Sequence, residues 1–117
     1  MSEWQIELYT TTSGSSPVAD FFDELSDREM VKVDAKLQLL KHFGTSLDRP
    51  HVAPVRGKIW ELRITGQRQQ RVLYATVEGK TIVLLHALTK KSRRIPSKDI
   101  SLAESRYRDY VERLRSR

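Results

Sequence analysis

The sequence predicts an α+β fold of order β-α-α-β-β-β-α, and three observations predict it. Apolar residues alternate at period two near the N-terminus and again in segments after residue 57. Between those regions, and once more after residue 96, apolar residues recur at spacings of three and four. Short polar turns join the central strand-like segments, so a three-stranded antiparallel meander is expected, with helices packed on one sheet. At 117 residues the chain has length for one domain, residues 1–117, around one core.

Residues 4–10 put Trp4, Ile6 and Leu8 on one face and Gln5, Glu7 and Tyr9 on the other, the pattern of a half-buried strand. Residues 11–16, with Gly14, have turn chemistry. Ser16 suits a cap and Pro17 the first helical position. Val18, Phe21, Phe22 and Leu25 then form the stripe of a short amphipathic helix. Ser26-Asp27-Arg28-Glu29 is a capping box, in which a hydroxyl and a carboxylate each satisfy an orphan backbone donor. Met30, Val33, Leu37 and Leu40 form the stripe of the second helix, and Gly44 stops it. The two helices are expected to pair as a hairpin, with Asp20, Asp23, Glu24, Asp27 and Asp34 outward.

Residues 44–58 hold two prolines and two glycines and predict a loop. The strand over 58–65 should place Trp60, Leu62 and Ile64 inward, and Glu61 and Arg63 outward. A strand over 69–77 follows the Gly66-Gln67-Arg68 turn, and one over 81–88 follows Glu78-Gly79-Lys80. Ile82-Val83-Leu84-Leu85 is apolar without a break, which predicts cover on both faces. A basic loop over 89–96 leads to a final helix capped at Ser97. Its apolar positions are Ile100, Ala103, Tyr107, Val111 and Leu114.

The chain has no cysteine, so disulfides, thiolate metal sites and cysteine nucleophiles are excluded. His42, His51 and His86 are scattered, and no zinc site is expected. Phosphate-binding glycine loops and a G-x-S-x-G nucleophile elbow are missing too. No cofactor is implied. The N-terminus shows no signal-peptide pattern, and no apolar run approaches the ~20 residues of a membrane helix. The expectation is a soluble, cytoplasmic protein.

Charge is unevenly spread. Residues 56–98 carry eleven Lys/Arg against two acids, whereas residues 1–55 carry five against nine. The basic segment is also the most strand-like one. A basic sheet surface is a receptor for a polyanion, of which RNA and DNA are the commonest. Arg63 falls on the outward face of one strand, Arg71 opens the next, and Lys90 and Lys91 follow the third. In an antiparallel sheet, the start of one strand lies near the end of its neighbour. Such a cluster can hold a phosphate and stabilise a pentavalent phosphorane. RNA supplies its own nucleophile, the 2′-OH. Against this, a run such as residues 90–94 is ordinarily a solvated loop, and His86, on one face with Ile82, Leu84 and Leu88, reads as a core residue. Trp4, Trp60 and Tyr107 read as packing.

The segments Trp60-Glu61-Leu62-Arg63, Arg71-Val72-Leu73-Tyr74 and Leu85-His86-Ala87-Leu88-Thr89-Lys90-Lys91, in that order and spacing, resemble the RelE/HigB superfamily of type II toxins. The likeness is greatest to the HigB-type, phage-derived branch, and extends over roughly residues 17–110, including Ala103 and Arg106-Tyr107-Arg108 on the last helix. Leu88 departs from it, since phenylalanine is commoner there. The resemblance implies a RelE-like fold and a ribosome-dependent mRNA endoribonuclease without metal. Cleavage would proceed by 2′-OH attack on the adjacent phosphate. By position, Arg71 matches the family's phosphate-stabilising arginine, and Lys90 and Lys91 match its paired lysines. Arg63 is a lesser catalytic candidate. Arg56, Lys58, Arg68, Arg93 and Arg94 would contact RNA phosphates, which position without reading sequence. The family often lacks a His/Glu pair, in keeping with few carboxylates on the sheet. Implied partners are the ribosome, mRNA and a cognate antitoxin, commonly of helix-turn-helix type. Two rival readings keep the fold: a ParE-type inhibitor of DNA gyrase, and a non-catalytic RNA-binding module.

Overall fold

Alternation and capping translate into nine elements. The structure, a computed structural model, describes residues 3–116. They are β1 (Gln5–Leu8), α1 (Pro17–Asp23), α2 (Asp27–Phe43), a 3-10 turn (Gly44–Ser46), β2 (Val52–Arg56), β3 (Ile59–Ile64), β4 (Gln69–Val77), β5 (Thr81–Lys90) and α3 (Ser97–Arg115). The sheet order is β1-β5-β4-β3-β2. Strands β2 to β5 form an antiparallel meander, and β1 lies parallel beside β5. The α+β class is as the sequence predicts.

The expected loop over 44–58 instead contains β2, so the meander has four strands. Pro54 lies within β2 and masked it in the sequence. An edge strand tolerates proline because one of its two rows of N–H groups has no partner strand. The capping box forms as read: Ser26 N–H donates to Glu29 Oε1, and Glu29 N–H to Ser26 Oγ, each at 3.1 Å. Ser16 occupies its cap position but makes no side-chain cap bond, and Pro96 rather than Ser97 caps α3.

Helices cover both faces of the sheet. On one, Val18 of α1 and Val33 and Leu40 of α2 meet Leu62, Ile64, Val72, Tyr74, Ile82 and Leu84. On the other, Ala103 of α3 meets Ile59, Leu73, Ala75, Val83 and Leu85. The unbroken apolar run of β5 is thus covered twice, as predicted. Tyr9, read onto the polar face of the first strand, is buried under α3, and its hydroxyl donates to Asp109 at 2.6 Å. Trp60, read as core, faces α2 but remains 37% exposed.

One irregularity decides what shares a face. Leu73 pairs with His86 and Tyr74 with Leu84, so Leu85 is an extra residue in β5. Such a bulge reverses the inward–outward alternation beyond it. Before it, Ile82 and Leu84 face α1 and α2. After it, His86, Leu88 and Lys90 face the α3 side. His86 therefore does not share a face with Ile82 and Leu84, contrary to the alternation read from the sequence. Among the described residues, no helix is long and apolar enough to cross a membrane.

Candidate phosphate-binding site

The site is built on the α3 face, at the end of the sheet where β3 finishes, β4 begins and β5 finishes. Arg63 pairs directly with Arg71 across β3 and β4, and Arg71 with Leu88 across β4 and β5. Gln69 pairs with Lys90. Cross-strand partners share a face, so Arg63, Arg71 and Lys90 are gathered on one. Lys91 lies just past β5 and is exposed.

Two arginines set directly opposite each other repel. Glu61, diagonal to Arg71, supplies the counter-charge. Its Oε1 is 2.9 Å from Arg71 Nε and 3.6 Å from Arg63 Nε. The outward face predicted for Glu61 is not a solvent face: it is 9% exposed, and Arg71 is 7% exposed. Arg71 also donates from an Nη to the Gln70 carbonyl at 2.9 Å. The charges nevertheless do not close. Glu61 Oε1, Arg63 Nε and Arg71 Nε are all buried without a hydrogen bond, and the charges meet only as ion pairs. They are three of the five such side-chain atoms among the described residues. One carboxylate serves two guanidiniums, with Lys90 on the same face. The corner keeps a surplus of positive charge and unfilled hydrogen-bonding capacity.

His86 adds a second polar cluster beside it. Its Nε2 is 2.7 Å from Asp99 Oδ1, and its Nδ1 is 3.3 Å from an Arg106 Nη. Arg106 also donates to the Leu85 carbonyl at 2.9 Å. This arrangement fits a ring with its proton on Nε2, donating to Asp99 and accepting from Arg106. It pins α3 to the bulge. No alternation rule applied to the sequence could have found it, because the bulge breaks the rule.

The predicted RNA-contact residues are not gathered together. Arg56 and Lys58 lie at the opposite end of β3, about 16 Å along the strand from Arg63. Arg56 donates to Glu104 at 2.8 Å and joins β2 to α3. Arg68 lies in the β3–β4 turn near the site, but its guanidinium holds Glu29 through two hydrogen bonds of 2.9 and 3.0 Å. Arg93 and Arg94 are exposed in the loop after β5. Among the described residues no His/Cys/Asp/Glu cluster suits a metal.

The Glu29–Arg68 contact makes a pH prediction. Arg68 above all, then the Ser26 N–H, hold the Glu29 carboxyl at about 2, well below its ordinary value. A depressed folded-state value stabilises the protein above the unfolded value, and that stability is lost as pH falls from about 4.5 toward 2. Replacing Glu29 by Gln is expected to flatten melting temperature against pH in that window and leave the slope above pH 6 unchanged.

Compared with known families, residues 20–108 match the family model described as phage derived protein Gp49-like (DUF891). That match takes in every strand of the meander, the Glu61–Arg63–Arg71 cluster and Lys90. No curated protein matches the chain.

Proposed function

The chain belongs to the phage-derived Gp49-like family, a toxin-like family within the RelE/HigB-like superfamily, and from that premise we propose that it is the toxin of a type II toxin–antitoxin system that cleaves mRNA. One observation carries the reading. Three buried, hydrogen-bond-deficient polar atoms cluster on Glu61, Arg63 and Arg71, facing the side on which Lys90 lies. Buried groups of this kind are costly unless a ligand completes them. A phosphodiester has the right charge and acceptor oxygens.

In this reading Arg71 holds the scissile phosphate and Arg63 shares the load. Lys90 neutralises charge on the equatorial oxygens as the phosphorane forms. The ribose 2′-OH attacks, the bond to the 5′-oxygen breaks, and a 2′,3′-cyclic phosphate and a 5′-OH result. Lys91, Arg93 and Arg94 contact flanking phosphates of mRNA or ribosomal RNA. Arg56 and Lys58 form a separate basic patch that steers and anchors. The family suggests an antitoxin partner; in this reading it covers the basic corner.

Primer extension on cellular mRNA after brief expression tests the proposal. New 5′ ends are expected in translated messages, and none on the same messages incubated without ribosomes. A second reading has one observation in its favour. The Arg71 side chain is only 8% exposed and already faces a carboxylate, as a purely structural arginine would. Intact messages beside inhibited DNA supercoiling, or no growth arrest at all, would replace the nuclease with a non-cleaving member of the same fold.

A further inference from the structure

We infer that Glu61 is the general base of this site: the carboxylate that takes the proton from the attacking 2′-OH. The inference rests on the nuclease reading above. A base must lie beside the phosphate clamp and keep a lone pair that no donor has consumed. Glu61 Oε1 meets both conditions. It is 2.9 Å from Arg71 Nε and 3.6 Å from Arg63 Nε, and it accepts no hydrogen bond. The 2′-oxygen and the phosphorus it attacks belong to adjoining groups, so a phosphate on Arg71 brings the hydroxyl to its neighbour. Glu61 comes from β3 and Arg71 from β4, two central strands, and their diagonal pairing fixes the separation.

The other side chains of this face fit the role less well. Arginine stays protonated and cannot accept a proton at neutral pH. Lysine must first lose its own, and Lys90 is half-exposed at the strand end. His86 has both ring nitrogens engaged, by Asp99 and Arg106. Glu61 is left. In the free protein it is the shared counter-ion of Arg63 and Arg71. When a phosphodiester takes those guanidiniums, the carboxylate is released toward the hydroxyl. The step balances: the O2′–H proton goes to Glu61, O2′–P forms, P–O5′ breaks, and O5′ takes a proton from water. Water then recovers the proton from Glu61.

The test uses the full chain, mRNA on translating ribosomes for cleavage, and a 2′-O-methyl RNA for binding. Glu61→Gln preserves shape and removes basicity. Its kcat is expected to fall by about 10²–10⁴, with KM and 2′-O-methyl RNA affinity unchanged or improved, since a competing negative charge is gone. Glu61→Asp keeps the charge and the ion pair but withdraws the oxygen by one methylene. Its circular dichroism should match that of the parent, with a kcat at least tenfold lower. A Glu61→Gln protein that cleaves within threefold of the parent, while Arg71→Lys does not cleave, overturns the base and leaves the nuclease reading intact. If Glu61→Gln does not fold, Glu61→Asp decides: a kcat within threefold of the parent overturns the base. A parent protein that fails to cleave on ribosomes overturns both.

Discussion

Arg71→Lys is expected to fold, to keep its positive charge, and to lose cleavage by about 10²–10³-fold. Removing one preorganised donor from a developing oxyanion has that magnitude. The expectation follows from shape rather than charge. Arg71 is held by the Gln70 carbonyl on one side and faces Glu61 on the other, so its guanidinium plane is fixed before substrate arrives. A planar fork can meet two phosphate oxygens at once, whereas an ammonium is a point charge on a flexible stem. Arg71→Ala is a different experiment. It leaves Glu61 nearly buried, facing Arg63 only at 3.6 Å. Losing one member of a buried pair costs about 3 kcal/mol or more, so its melting temperature should drop by roughly 10 °C. Arg71→Lys thus separates chemistry from folding, and growth arrest with primer extension reads it out. Arg71→Lys that remains folded and fully toxic would take Arg71 out of the reaction.

What the sequence made legible and what it hid divide along a physical line. Patterns that depend on local periodicity were readable: the capping box of α2, the stripes of the helices, the twofold cover of β5. So was the shared face of Arg71 and Lys90, which needs only antiparallel pairing between strands joined by short turns; Lys91, read into the same corner, lies just past β5. Three things were hidden. Strand β2 was masked by Pro54, whose cost depends on whether the strand is central or at the edge, and a sequence does not say which. The Leu85 bulge reversed the face of His86 and joined it to Asp99 and Arg106. The burial of Glu61 was hidden because an outward face was equated with solvent, whereas it lies 9% exposed against the neighbouring arginines.

The same distinction explains why charge counts located the site only coarsely. Residues 56–98 are strongly basic as a segment, but several of these charges are already engaged. Arg56 answers Glu104, and Arg68 answers Glu29. Their contacts tie α3 to β2 at the far end of the sheet and α2 to the β3–β4 turn. Surface pairs of this kind contribute little stability each. Their use is geometric, since they hold α3 and α2 against opposite faces of the sheet. What distinguishes Arg71, Arg63 and Glu61 from these pairs is incomplete hydrogen bonding together with burial.

The largest effect on stability is expected from Gly44→Ala, a change of one methyl group. Gly44 ends α2 with φ 53° and ψ −125°, a backbone region closed to residues with a Cβ. Holding alanine there costs of order 1–3 kcal/mol. The new methyl would also fall inside the indole of Trp4, which packs directly over the glycine. Trp4 cannot simply step aside. Its backbone N–H donates to the Lys41 carbonyl at 2.9 Å, which fixes the main chain, and its ring packs against the core on the α1–α2 face of the sheet. Overpacking adds a further 1–3 kcal/mol, and the total should lower the melting temperature by roughly 10–20 °C. Gly14→Ala is the matched control: its φ is 91°, but no atom lies within 4 Å of the added methyl. It should show the backbone cost alone. A double-mutant cycle with Trp4→Ala isolates the steric part. In that background Gly44→Ala should cost no more than Gly14→Ala does. If it costs as much as it does beside Trp4, the strain lies in the turn itself and the indole has no part in ending α2.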